Sequence, residues 1–405
     1  MEVFAMSWRR TDVLDERVAF MAQYLSHQLS MADLCRAFQV SRKTGYKFVR
    51  RYQALGPVGL HDLSRAPHHQ PYAVDESRQE LIIALRAAHP TWGPKKLQPE
   101  LVRLYPDIPW PTVSTVGAIL ERHGLVRSSN RRRRPAHPTP SPLTAADGPN
   151  LVWPADFKGE FRLRNGRLCY PFTISDAYSR MLMRCQALYR TTFQAVYPLC
   201  VATFHEYGLP QVIRTDNGPP FVGRGFTGLS CLSVWWIKLG IRPEPIQPGR
   251  PHQNGRHERM HRTLKQEATI PPQHTLAAQQ RTFDRFRDEY NHIRPHEALG
   301  QKPPATLYTP SPRPYPLRLP AIEYPAGMTV RRVRHDGCIR WRGEMLFISE
   351  TLVGEPVALD PLDDRYWALY FGPVPLAIFD PHKTAWLPPK PAAPILKQLR
   401  QELNT

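Results

Sequence analysis

No two of the six cysteines form a C-x-x-C pair; they stand alone at positions 35, 169, 185, 200, 231 and 338. That scatter excludes a zinc knuckle and a disulfide framework, and it predicts reduced, buried thiols. No apolar run reaches the length of a membrane span, and the N-terminus lacks the apolar stretch of a signal peptide. The expectation is an intracellular protein with no membrane partner. Acidic residues are few beside basic ones, 35 Asp+Glu against 54 Lys+Arg, a formal net charge of +19. Such an excess favours a polyanionic partner, and nucleic acid is the default. Proline is plentiful, with 44 residues. The prolines cluster, and the clusters mark linkers between domains of a chain long enough to hold several.

Residues 10 to 55 read as helices. Val13, Val18, Phe20, Met21, Tyr24 and Leu25 supply one apolar face, and Met31, Leu34, Cys35 and Phe38 a second at helical spacing. Gln39-Val40 turns the chain, and Ser41 is a good N-cap for the basic segment RKTGYKFVRRY. This is the helix-turn-helix plan, whose second helix enters the major groove. Arg42, Lys43 and Tyr46 are then expected to face DNA, with Phe48 and Val49 in the core. The plain alternative is a helical hairpin with a solvated basic face. Residues 72 to 128 repeat the idea, with helices in ESRQELIIALRAAH, after Trp92-Gly93-Pro94, and after Pro111.

The stretch 130–149 holds Arg131, Arg132, Arg133 and Arg134 among prolines. Four adjacent cations repel one another unless they meet phosphate, so this is a linker expected to touch DNA. From 151 onward the order of apolar runs predicts β-β-β-α-β-α-β-α, a mixed sheet with helices on both faces. Asp156 and Asp216 each end a strand, where functional groups collect in such sheets. For Asp216 a rival reading is the turn-forming Asp-Asn-Gly, yet Pro219-Pro220 denies it the second strand of a hairpin. Asp176 is a rival acid, expected to brace the loop that carries Arg180.

The helix from Gln253 holds one carboxylate, Glu258, among Arg256, His257, Arg259, His261 and Arg262. Three readings compete. One is a surface ion pair of Glu258 with Arg262. Another takes His257-Glu258-Arg259-Met260-His261 as the zinc-protease pattern H-E-x-x-H. Its flanks are polar where a buried zinc helix needs apolar ones, and Leu264 and Glu267 stand where the longer pattern has glycine and histidine. The last makes Glu258 an oxygen ligand for Mg²⁺, working with acids far upstream. Beyond the Pro-rich segment 302–325, two strands are expected to pair around Asp336-Gly337 in a small basic β domain. Arg331, Arg332, Arg334, Arg340 and Arg342 with Trp341 are expected to form its face for DNA backbone.

Asp156 in WPADFKG, Asp216 in RTDNGPPF and Glu258 in GRPHQNGRHERMHRTLK resemble the acidic triad of integrase-core transposases. These are insertion-sequence relatives of retroviral integrases. The segment YNHIRPHEALGQKPPATLY resembles the end of the same core. The chain departs from the pattern in the 41 residues between Asp216 and Glu258, an excess assigned to the loop GRGFTGLS. It also lacks the N-terminal histidine/cysteine zinc domain of retroviral integrases.

The resemblance implies a multidomain chain: all-α helix-turn-helix units at 1–66 and 67–129, a linker at 130–149, and an α/β ribonuclease H-like core at 150–310. A linker at 311–325, a small β-barrel at 326–387 and a tail at 388–405 follow. It implies Mg²⁺ or Mn²⁺, two ions held by Asp156, Asp216 and Glu258, and no zinc. The implied activity is metal-dependent cleavage of DNA 3′ ends and their transfer to target DNA. Asn217, His252, Asn254, Arg256 and His257 would contact DNA near the site. The implied partners are the element's terminal repeats, target DNA and a second copy of the chain, in a bacterial cytoplasm at the nucleoid. A non-catalytic DNA-binding regulator is the alternative, and a zinc protease the remoter one.

Overall fold

The computed structural model describes residues 12–63, 73–126, 143–387 and 389–402. Arg131 to Arg134 lie outside the described residues, as does the side chain of His252. The chain divides into two compact units, Met1–Ala73 and Val74–Thr405.

The first unit holds α1 (Val13–Leu25), α2 (Met31–Ala37) and α3 (Arg42–Leu55). Ser30 and Ser41 cap α2 and α3 by accepting backbone N–H groups of Asp33 and Thr44. Phe20, Met21, Leu34, Cys35 and Val49 fill the core. Val13, Val18 and Leu25, expected in that core, are exposed. Three packed helices close with one face of α1, and these residues stand off that face. Gly45 is where α3 crosses α2: a Cβ there would lie 2.7 Å from Cys35 Sγ. Arg42, Lys43 and Tyr46 are exposed on α3. Phe48 is only half-buried, covered by Arg17, Lys47 and Arg51 over its ring.

The second unit begins with α4 (Glu76–Ala88), α5 (Pro94–Leu104) and α6 (Val113–Arg122), around Ile82, Trp92, Leu97 and Val116. Then come β1 (Val152–Phe157), β2 (Phe161–Arg162), β3 (Leu168–Ser175), β4 (Leu182–Leu188), α7 (Phe193–Tyr207), β5 (Val212–Thr215), α8 (Cys231–Lys238) and β6 (Arg242–Pro245). Helices α9 (Gly255–Ala268) and α10 (Leu276–His292) complete the core. The expected order holds, with one extra two-residue strand, β2. The sheet runs β4-β3-β1-β5-β6, with β2 on the start of β3. Strands β1 and β3 and strands β3 and β4 are antiparallel; β1, β5 and β6 are parallel. One face packs on α7 and α8 through Trp153, Phe172, Phe204 and Trp236. The other packs on α9 and α10 through Leu182, Cys185, Leu264 and Phe283.

The helices α4–α6 rest on this second face. His89 Nδ1 lies 2.8 Å from Glu289 Oε1, Lys95 Nζ lies 2.8 Å from Glu297 Oε1, and Thr91 donates to Glu267. Ile293, just beyond α10, packs on the helical core around Trp92. The end of the integrase-like segment straps β1: Tyr308 donates to Asn150 Oδ1 at 2.9 Å, and Asn150 donates to the Thr309 carbonyl.

The C-terminal part contains β7 (Thr329–Arg332), β8 (Cys338–Trp341), β9 (Glu344–Phe347), β10 (Pro356–Pro361), β11 (Trp367–Phe371), β12 (Val374–Asp380), β13 (Ala385–Trp386) and α11 (Pro389–Glu402). It is a small β domain. Among the described residues its strands form an open five-stranded sheet, β13-β12-β11-β10-β7, and a separate β8–β9 ribbon, with no pairing that closes the expected barrel. The hairpin expected around Asp336-Gly337 is displaced too. A tight turn stands there, but β7 gives its ladder to β10, and the hairpin turns at Arg342-Gly343 instead. Trp341 is 5% exposed and packs edge-on against Trp367 and Phe379. It belongs to the core rather than to an arginine-rich surface.

Candidate active site

Two acids stand where β1 and β5 end, and a third stands on α9. The parallel pair places Pro154 opposite Arg214. Two residues further along each strand stand Asp156 and Asp216, side by side outside the carboxyl ends of neighbouring strands. Phe157 N–H donates to Asp156 Oδ1 at 2.7 Å, and Gly218 N–H donates to Asp216 Oδ1 at 3.2 Å. Glu258 comes from the first turn of α9 and is exposed. It forms no ion pair with Arg262 among the described residues, so the surface-pair reading has no contact behind it.

The electrostatics of Asp156 report the convergence. Burial, then the charge of Asp216, then that of Glu258 push its carboxyl up to about 7, against the Phe157 N–H and the Lys158 ammonium. Burial also raises Asp216. Two neighbouring carboxyls held above their ordinary range, Asp156 and Asp216, form a pair that a cation would relieve.

Asp176 is fully buried and spent. Asn150 N–H donates to one oxygen at 2.8 Å; Ser179 N–H and Ser179 Oγ donate to the other at 2.7 and 2.6 Å. It braces the turn that carries Arg180, whose N–H donates to the Asp176 carbonyl.

His257 and Asn254, expected at the DNA, are 2% and 5% exposed and face inward. The reason is helical phase: His257, Met260, His261, Leu264 and Ala268 form the buried stripe of α9. This stripe covers β3, whose Thr173 and Ser175 hydroxyls need partners there. Thr173 Oγ1 donates to the Asp156 carbonyl at 3.1 Å and lies 2.8 Å from His257 Nε2 and 2.7 Å from His261 Nε2. Its one proton is used, so both rings donate to it from Nε2. Ser175 Oγ lies 2.9 Å from His257 Nδ1 and donates there. Burial drives the His257 imidazole down to about 3 and that of His261 well below its ordinary value, so both are neutral.

Asp156, His257 and His261 bring potential ligand atoms within 4.8 Å of one another. Three of the four imidazole nitrogens are nevertheless occupied by hydroxyls. The zinc-protease pattern also needs its glutamate beside the histidines, and here Glu258 is on the outside of the helix. Asn217 spends its amide N–H on the Ile246 carbonyl at 2.7 Å, so it ties down the loop after β5. Arg256 remains exposed, with Nη1 donating to the Ala177 carbonyl at 3.0 Å. Sequence reasoning passed over Lys158 and Thr173. Their signal was position, two after Asp156 for the one and β-sheet partner of Asp156 for the other.

The loop GRGFTGLS is held shut by one glycine. Gly223 N–H donates to the Gly228 carbonyl, and a Cβ on Gly223 would sit 2.0 Å from the Leu229 carbonyl oxygen. Backbone cannot yield as a flexible side chain can. Gly223→Ala is expected to lower stability by roughly 1–3 kcal/mol and to loosen the loop that follows Asp216. Urea unfolding measures it, and an unchanged midpoint would show that the loop has slack.

Comparison with known proteins fits this geometry. An Integrase core domain model matches residues 146–251, and a second Integrase core domain model matches 239–304. A Helix-turn-helix domain model matches 16–68 and a Homeodomain-like domain model 44–120. The fold and the matches thus define a chain with helix-turn-helix domains followed by an integrase core, and it resembles proteins of bacterial insertion elements. It is 28% identical over 237 residues to an insertion element IS476 uncharacterized 39.2 kDa protein of Xanthomonas euvesicatoria, covering 58% of this chain and 65% of that protein. It is also 28% identical over 188 residues to an insertion element IS407 uncharacterized 31.7 kDa protein of Burkholderia multivorans, covering 45% and 64%. The chain therefore spans just under two thirds of the length of these relatives. A structure of the HTLV-2 integrase catalytic core domain in complex with magnesium aligns at 16% identity, over 40% of this chain and 98% of that one, with a TM-score of 0.32.

Proposed function

We propose that the protein cuts the 3′ ends of a mobile DNA element and joins them to target DNA. The observation that carries this reading is the parallel pairing of β1 with β5, which sets Asp156 beside Asp216, with the charge of Glu258 on α9 also reaching Asp156. Three oxygen donors without sulfur suit Mg²⁺ or Mn²⁺ rather than zinc. Asp156 and Asp216 would hold one ion together, and Glu258 would complete the site of a second. When bound, such ions supply Lewis-acid stabilisation of the attacking and leaving oxygens of a phosphodiester.

The residues of the chain do the positioning. The Phe157 and Gly218 N–H groups fix the two aspartates, and the Thr173–His257–His261 network clamps α9 to β3, which fixes the helix of Glu258. Water attacks the phosphodiester at the element end, leaving a free 3′-hydroxyl. That hydroxyl then attacks a target phosphodiester: one P–O bond forms, one breaks, and the target's 3′-oxygen leaves with the proton.

Arg42, Lys43 and Tyr46 on α3 would read the element's terminal repeats in the major groove. Arg131 to Arg134 and Arg256 would hold phosphates. Handling two ends calls for a dimer or larger assembly on DNA, in a bacterial cell at the nucleoid. The test is strand transfer by the purified protein, with duplexes from its element's ends, a supercoiled target plasmid and Mg²⁺ or Mn²⁺. Joined products are expected. Tight end binding without products under either metal would leave a DNA-binding regulator in place of a transferase.

A further inference from the structure

The turn between β3 and β4 holds a cation that, among the described residues, forms no ion pair with an acid. Arg180 has a left-handed backbone, with φ 68°, and its Nη1 is buried with no hydrogen-bond partner. The acid in its own turn, Asp176, is filled by Asn150 and Ser179. Its other neighbours make matters worse. Arg256 reaches into the same turn to bond the Ala177 carbonyl, and Arg259 lies one helical step beyond Glu258 on α9. Among the described residues neither Arg180, Arg256 nor Arg259 is ion-paired with an acid. Burial first, then Arg256 and Arg259, bring the Arg180 guanidinium down to about 10, against the opposing pull of Tyr290 and Asp176. A half-buried charge beside two like charges destabilises a fold unless counter-charge offsets it in full.

We propose that Arg180, Arg256 and Arg259 form a phosphate clamp for DNA backbone, set against the N-terminal turns of the helix that carries Glu258. A phosphate suits guanidinium forks offered by a turn and by the helix beside it, Arg256 bonded to the Arg180 turn and Arg259 lying back on the Gly255 carbonyl of its own helix, and planar forks bind such oxygens bidentately. The placement matters for the proposed chemistry, on which this inference rests. Arg256 and Arg259 flank Glu258 in sequence, so a phosphate held between them and Arg180 fixes the duplex relative to that acid. The fold thereby keeps, on a residue of left-handed backbone, an Nη1 without a hydrogen-bond partner for a ligand that arrives later.

Two measurements separate a clamp from a structural arginine. The full chain is titrated in EDTA, where no chemistry occurs, with a duplex of its element's terminal sequence and with an unrelated duplex of equal length, across a salt series. Wild type is compared with Arg180→Met and Arg259→Ala. Each variant should lower the slope of log affinity against log salt by about 0.9, the value of one released phosphate contact. Without DNA, Arg180→Met should melt above wild type, because a half-buried charge beside two like charges has gone. A slope lost on the terminal duplex alone assigns the phosphate to the element end. An equal loss on both duplexes assigns the clamp to backbone of either DNA, target included. Unchanged slopes in both variants overturn the clamp, as does a lower melting temperature in Arg180→Met with an unchanged slope in Arg259→Ala. If strand transfer fails in wild type while the slopes shift as stated, the transferase reading falls and the phosphate site stands.

Discussion

Glu258→Ala is expected to remove strand-transfer products, by on the order of 10²–10³-fold or more, while the protein stays folded and still binds element ends. Stability should change by less than about 1 kcal/mol, since the only favourable term lost is an acid in the first turn of a helix. Glu258 is exposed and has no ion-paired cation among the described residues, and alanine is the better helix former. End binding should hold or rise slightly, because a negative charge between Arg256 and Arg259 has gone. The informative companion is His261→Ala. His261 is buried against Thr173, so its loss should destabilise the protein by roughly 1–3 kcal/mol. Where the variant is folded it should still make joined products. A zinc enzyme would behave otherwise: both variants would lose activity, and metal analysis of wild type would find zinc. Full strand transfer by Glu258→Ala would remove the carboxylate reading altogether.

How far the sequence revealed this site depended on which face of each element was in question. Asp156, Asp216 and Glu258 were readable because each sits in a run of recognisable letters, and because strand ends are where α/β sheets place chemistry. The alternation of strands and helices was readable from apolar period. The orientation of α9 was misread for His257. Its basic composition drew attention outward, yet Met260, Leu264 and Ala268 stand at spacings of four and place His257 and His261 on the buried side with them. The partner that makes this arrangement possible, Thr173, lies 84 residues upstream of His257, and no local pattern announces it. Arg180 was noticed only as something a loop carries, because an absent counter-charge is visible only in three dimensions. Pairing of β7 with β10 rather than β8 is non-local in the same way. An Asp-Gly turn fixes a reversal of the chain, but the competition between ladders decides which strand pairs.

Asp156→Asn should stabilise the metal-free protein, and the gain should appear only as pH rises. The folded state holds the Asp156 carboxyl near 7 against an ordinary value of 3.8, through burial and the nearby charges of Asp216 and Glu258. A carboxyl whose folded value is raised contributes stability that is fully present below about 4 and lost as pH climbs through 7. The side chain is 17% exposed, so most of this effect survives solvent screening, and the loss in wild type approaches about 3–4 kcal/mol as an upper bound. Asparagine cannot ionise and escapes it. Urea unfolding in EDTA at pH 5 and pH 8 should therefore show the variant gaining on wild type by several tenths of a molar in midpoint at the higher pH, with a clearly smaller gain at the lower. Added Mg²⁺ or Mn²⁺ should reverse the order at pH 8, because bound cations stabilise the ionised wild-type site and find no second aspartate in the variant. Protons and metal then compete for Asp156, so strand transfer should fall as pH drops below 7 and fall earlier at low metal. A pH-independent difference between the two proteins would mean that the three acids do not share a field. A variant less stable than wild type at pH 8 in EDTA would mean that Asp156 is a structural acid. Either result would take away the electrostatic argument for a metal-binding triad, since a site that is comfortable without cations has no need of them.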